Sequence, residues 1–199
     1  AIATRADACS FVSEAEAGLF RTASGLGPDR IVPLENGVAL DYFDPTADFP
    51  PMAHGDGPLL VFTGQMDYRP NVEAVESFAR QTLPAIQAVR PDVRFAIVGR
   101  NPSKAVEALA AQPGVIVTGG VPDVRGWLAA ADIVVAPLRI ARGIQNKVLE
   151  AMAMARPVVA SPQAAEGIDA VDGRDFLVAD DPAAEAEMIL SLLADPARG

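Results

Sequence analysis

Four polar residues stand close together in an apolar setting: Gln145, Asn146, Lys147 and Glu150, within RIARGIQNKVLEAMAMARPVVAS at residues 139–161. An amide such as Gln145 or Asn146 suits the N-cap of a helix. That start puts Lys147 in the first turn and Glu150 one turn later, on nearly the same side. A diphosphate at such a terminus would meet free N–H groups, the positive end of the helix dipole and an ammonium. Glu150 could accept hydrogen bonds from two vicinal hydroxyls, such as those of a ribose. The plain alternative is an i, i+3 surface pair worth about 0.2–0.5 kcal/mol. The apolar residues of VLEAMAMA argue for the chemical reading, because a carboxylate among them is costly without a partner. Lysine is also a scarce choice here: the chain has 14 arginines and two lysines.

Five segments follow apolar runs and could share a site with this one: TGQMDYRPN (63–71), VGRNP (98–102), TGGVPD (118–123), PLRIARGIQN (137–146) and SPQAAEGID (161–169). Ligands of open parallel sheets collect at the carboxyl ends of strands, so these loops hold the information. Gly64, Gly99 and Gly119 directly follow their strands and permit close backbone approach. Arg69, Arg100, Arg139, Arg142 and Lys147 place cations in three of the five loops of an acidic chain, which favours a phosphate-bearing ligand. No G-x-G-x-x-G follows the first strand of the run and no G-x-x-x-x-G-K-[ST] occurs, which weighs against dinucleotide and P-loop sites.

The elements that must position these loops alternate along the chain. Short apolar runs such as LLVFTG, RFAIVG, GVIVTG, DIVVAPL, PVVAS and FLVA are separated by helical patterns, including a long one over residues 71–89. This alternation predicts right-handed βαβ units, and continuous apolarity predicts strands covered on both faces. The fold class is α/β, a doubly wound, Rossmann-like parallel sheet. Residues 1–43 carry one further strand–helix–strand unit and a crossover, expected to be the tail of a second α/β domain whose main part lies outside this sequence. Residues 44–58, rich in Pro, Gly and Asp, read as a linker, and residues 59–199 as the main domain.

The chain has 199 residues, half of them hydrophobic, and its apolar runs are far shorter than a membrane span. No signal-peptide pattern opens it. The sole cysteine, Cys9, excludes an internal disulfide and suits a reducing cytoplasm; it reads as a small strand residue. The sole histidine, His54, sits in PPMAHGDGP and reads as a solvated linker residue, so no zinc site is expected. A net charge of −10 argues against nucleic acid as a partner.

NGVALDYFDP (36–45), GQMDYRPN, DVRGWLAAADIVVAPLRIARGIQNK and KVLEAMAMARPVVAS together resemble the retaining GT-B glycosyltransferases of family four, in particular the bacterial exopolysaccharide-associated sugar transferases. The resemblance implies the C-terminal, nucleotide-sugar-binding half of a two-domain enzyme. Its donor is a nucleoside diphosphate sugar, used with retention and with neither metal nor cofactor. The acceptor, a glycan or a lipid-linked molecule, binds through the N-terminal domain. Glu150 matches the second glutamate of the family's E-x7-E motif, which holds the ribose, while Arg142 stands where the first glutamate is usual. Gln65 follows Gly64, and Asn71 stands near the second position, of the basic pair usual in the first loop. Phosphate neutralisation is therefore assigned to Lys147, Arg142 and Arg69. The donor-binding set is completed by Gly64, Gln65, Asn71 and Arg100, by Gly120 and Val121, and by Gly143, Gln145, Asn146 and Glu150. The expected location is the cytoplasm, with peripheral association of the full-length protein at the inner membrane face left open. Two rivals remain: a sugar-nucleotide epimerase of the same architecture, and a non-catalytic α/β regulatory module.

Overall fold

The computed structural model describes residues 3–195. Eight strands and eight α-helices are present among them. The first unit is β1 (Cys9–Phe11), α1 (Glu14–Ser24) and β2 (Ile31–Pro33), with β1 and β2 paired in parallel as a small sheet of their own. Ser13 caps α1 by accepting from the Glu16 N–H, and Gly25 ends it in the left-handed conformation. Cys9 lies on the strand, as its sequence context indicates, and keeps part of its surface exposed.

The main sheet contains β3 (Leu59–Thr63), β4 (Arg94–Val98), β5 (Val115–Gly119), β6 (Ile133–Ala136), β7 (Val158–Ala160) and β8 (Leu177–Val178). All its neighbours are parallel, in the order β5-β4-β3-β6-β7-β8. The order reverses between β3 and β6, so the loops that follow these two strands diverge and leave a crevice. Every residue of β3 and of β6 is buried, which explains why their sequences are continuously apolar. Phe62, Phe78 and Phe95 are among the largest buried side chains, and the rings of Phe78 and Phe95 lie 4.5 Å apart.

The helices expected at 71–89 and in PSKAVEALAAQ are both divided. The first comprises α2 (Arg69–Ser77), a π turn (Phe78–Thr82) and α3 (Leu83–Val89). Pro84 has no N–H to continue the ladder, and the Leu83 N–H reaches Phe78 O, five residues back. The second comprises α4 (Lys104–Ala108) and a 3-10 turn. Then come α5 (Arg125–Ala130) and α6 (Asn146–Ala153). The segment 161–169, expected as loop, holds the short helix α7 (Pro162–Ala165), because Ser161 caps it and a proline occupies its first turn. The closing helix is α8 (Pro182–Ala194), capped by Asp181 and packed on α3.

Residues 44–58 contain neither helix nor strand, yet they lie against the main unit. The Arg125 guanidinium stacks 3.8 Å from the Tyr42 ring centroid and donates to the Tyr42 carbonyl at 2.8 Å, while Phe43, Phe49 and Met52 pack against the core. His54 departs from its solvated reading: it is half-buried, with Nδ1 enclosed and unpartnered.

Candidate functional site

A cleft of 680 Å³ opens at the carboxyl ends of the sheet, where the strand order reverses. Its walls come from the loops after β3, β4 and β5 and from the start of α6. Two glycines make this geometry attainable. A side chain at Gly99 would put its β-carbon 1.6 Å from the Gly64 carbonyl oxygen, and one at Gly64 would crowd Asn71 and Lys147.

The cleft lining carries three charged side chains, Arg100, Lys147 and Glu150. Lys147 reaches from the first turn of α6 towards α2, donates from Nζ to Asn71 Oδ1 at 2.7 Å, and lies 4.1 Å from the centroid of the Phe62 ring. Lys147 keeps part of its side chain exposed, but the amino group is sunk in these surroundings. Desolvation pushes the ammonium down to about 7, opposed by the Glu150 carboxylate. Burial in turn raises Glu150, and the Lys147 charge opposes that shift. The lysine's hydrogen bond goes to Asn71, so Glu150 acts on it through space. Glu150 itself is half-buried on the wall.

Of the residues drawn from the sequence, Gly64, Gln65, Asn71, Arg100, Gly120 and Val121 line the cleft from the sheet side. Gln145, Asn146, Lys147 and Glu150 line it from α6. Gln145 does so without the capping role assigned to its amide: Nε2 donates to the carbonyls of Gly143 at 3.0 Å and Arg142 at 3.3 Å. The first turn of α6 therefore has no side-chain cap. Arg100 lies exposed at the rim, with Nη2 donating to Gln65 Oε1 at 3.2 Å.

Three expected residues are placed elsewhere. Arg69 opens α2 with its side chain 82% exposed, and its Nε donates to Glu73 Oε1 at 2.6 Å. Arg142 is exposed and contributes its carbonyl to the loop. Gly143 turns the chain at φ +65°, with Val12 and Glu16 of the first unit against it. The cations that line the cleft are thus Lys147 and Arg100. The cleft also uses Thr63, Tyr68, Val98, Gly99, Val124 and Ile144, which were absent from the expected set. Gly99 had a legible signal in its position just after a strand; the apolar wall residues carry no mark of a ligand.

A second cavity of 290 Å³ lies farther along the same sheet edge, lined by Thr82, Arg139, Ser161, Asp181 and Glu185 among others. Glu185 is 5% exposed and accepts from Thr82 Oγ1 at 2.7 Å. Burial raises its carboxyl to about 7, opposed by that hydrogen bond and by Arg139. Among the described residues, no three of His, Cys, Asp and Glu are grouped to hold a metal ion.

Comparison with known proteins adds a family to this geometry. A phosphatidyl-myo-inositol mannosyltransferase of Propionibacterium freudenreichii subsp. shermanii is 31% identical over 167 residues, which is 79% of this chain and 39% of that protein. Anabaena Alr3699/HepE, solved in complex with UDP-glucose, superposes with a TM-score of 0.75 at 15% identity, over 97% of this chain and 56% of that one. The C-terminal domain of a group 1 family protein (LpcC) from Francisella tularensis gives 0.63 at 18% identity, over 81% of this chain and 90% of that domain. This chain therefore spans well under half of its curated relative and just over half of the Anabaena protein. The family model described as glycosyl transferases group 1 matches residues 57–195, the entire six-stranded unit, and the chain belongs to that family.

Proposed function

We propose that the cleft binds the donor of a retaining glycosyl transfer, a nucleoside diphosphate sugar. The observation that carries this reading is the convergence of the Lys147 amino group, the uncapped start of α6 and two close-approach glycines at one point of the cleft. A leaving diphosphate gathers charge as its bond to the sugar breaks. A fixed cation and helix N–H groups stabilise that charge without reorganisation. Glu150, one turn along α6, is in place for the ribose hydroxyls, and Arg100 at the rim adds a second cation. The Anabaena neighbour solved with UDP-glucose supports this donor class.

We further propose that the reaction proceeds with retention and without a metal ion, in the cytoplasm, with transfer to a glycan or lipid-linked acceptor held by a second domain of the whole protein. The mannosyltransferase relative supports a glycolipid product, and the resemblance in the sequence supports an exopolysaccharide one. Calorimetric titration of the 199-residue chain with UDP and GDP, with and without EDTA, tests the donor and the metal. Binding of at least one nucleotide that survives chelation is expected, and no binding by either overturns the reading. Glu150→Gln should weaken the bound nucleotide several-fold more than it weakens inorganic pyrophosphate; equal losses would remove Glu150 from the ribose.

A further inference from the structure

Asn71 stands where the two loops bounding the cleft meet. It belongs to the first turn of α2 and is 6% exposed. Its carboxamide ties two elements together: Nδ2 donates to the Gln65 carbonyl at 2.9 Å, and Oδ1 accepts from Lys147 Nζ at 2.7 Å. A β-carbon on Gly64 would fall 2.7 Å from Asn71 Nδ2 and 3.2 Å from Lys147 Nζ, so the missing side chain leaves both groups their room. The groups facing the amino nitrogen are Phe62 of β3, Gly64 of the following loop, Asn71 of α2 and, on its own helix, Glu150. Only the last of these is charged. Arg100 is engaged with Gln65 at the rim.

We propose that Asn71 is a positioning residue: its carboxamide holds the Lys147 amino group at the junction of the β3 loop and α6, and orients it without cancelling its charge. An apolar side chain in this place would leave a desolvated ammonium with no acceptor, and it would shed its proton more readily. An aspartate would keep the ammonium charged but would already neutralise it, and would repel an arriving anion. The amide lies between these extremes. It accepts a hydrogen bond, adds no charge, and is itself fixed by the Gln65 carbonyl. Burial already holds Lys147 at about 7, so its charge state near neutrality is sensitive to what its one acceptor is.

The consequence for a diphosphate rests on the function proposed above, but the test of the contact needs no ligand. The chain has two lysines, so 13C-labelled lysine gives two signals, one from Lys147 and one from Lys104, exposed at the start of α4. Lys147→Met assigns them. In a pH titration followed by NMR, Asn71→Leu should lower the Lys147 midpoint by about one pH unit, and Asn71→Asp should raise it by about one unit. A residue with only a packing role would not move the midpoint in opposite directions. Asn71→Asp keeps the side-chain volume and decides the matter if the leucine variant does not fold. A Lys147 midpoint in folded Asn71→Asp equal to that of the wild type overturns the proposal. With UDP as probe at pH 8, Asn71→Asp should bind at least about tenfold more weakly, and uridine should change less than about twofold; unchanged UDP affinity also overturns it. Absence of UDP binding by the wild type would sink the donor reading while leaving the lysine titration to judge Asn71.

Discussion

Lys147 and Glu185 sit at two places along one sheet edge, and desolvation has moved both to about 7, one from above and one from below. Their surroundings differ in what is left open. Glu185 accepts from Thr82 at the π turn, and its own helix is capped by Asp181, so both the carboxyl and the helix start have partners within the chain. Lys147 has Asn71, but it faces a cleft more than twice as large, beside a helix start that no side chain caps. A buried titratable group with a shifted pKa thus marks a desolvated place. The open donors around it distinguish a place for a ligand from an internally bonded joint.

The comparison can be broken in order of expected effect. Gly99→Ala should destabilise the chain by about 3 kcal/mol or more, seen as a lowered urea midpoint, because its β-carbon and the Gly64 carbonyl cannot share one position. Next, on the proposed function, Lys147→Ala in the whole protein should slow glycosyl transfer at least about tenfold, whereas Glu185→Gln should stay within about twofold. Equal losses in initial rate would dissolve the distinction.

The two groups also predict mirror-image pH dependence of stability. Lys147 is lowered in the fold, so the unfolded chain binds the extra proton between about 7 and 10.5. Stability rises with pH through that window, and the penalty is full below it. Glu185 is raised in the fold, so the folded chain holds the extra proton between 4.5 and about 7. Stability falls as pH rises through that window, and the penalty is full above it. With the full shift cut back for partial exposure and relaxation, Lys147→Met should therefore add roughly 2 kcal/mol at pH 6 and little at pH 10.5. Glu185→Gln, cut back likewise for relaxation and for a disturbed Thr82 hydrogen bond, should add roughly 1 kcal/mol at pH 8 and nothing at pH 4. Chemical denaturation at these pH values checks both. The smallest effect is Arg69→Ala, whose guanidinium is held on Glu73; nucleotide affinity should change less than about twofold by calorimetry.

How far the sequence reached depended on the range of the forces involved. The sheet was legible because strands covered on both faces are mostly apolar, as β6 is throughout and β3 is up to Thr63. The cleft was legible in outline because Gly64 and Gly99 follow strands and Lys147 opens a helix, whereas of the loop arginines only Arg100 lines it. The π turn was not, since it joins Pro84 to a Thr82–Glu185 contact spanning 103 positions. Nor was the Asn71–Lys147 bond, which spans 76. Gln145 looked like a cap because amides often are, but its amide donates instead to the nearby Arg142 and Gly143 carbonyls. Arg69 is different: its i, i+4 partner Glu73 was visible in the sequence all along.

Asn36, in the crossover from the first unit, donates from Nδ2 to Asn146 Oδ1 at 3.0 Å, and Gly143 rests against Val12 of that unit. The crossover between the two parts of the chain is thus joined to the tip of the helix that carries Lys147. A displacement of Asn36 away from α6 would break this exposed amide pair beside the cleft, a bond worth only about 1 kcal/mol.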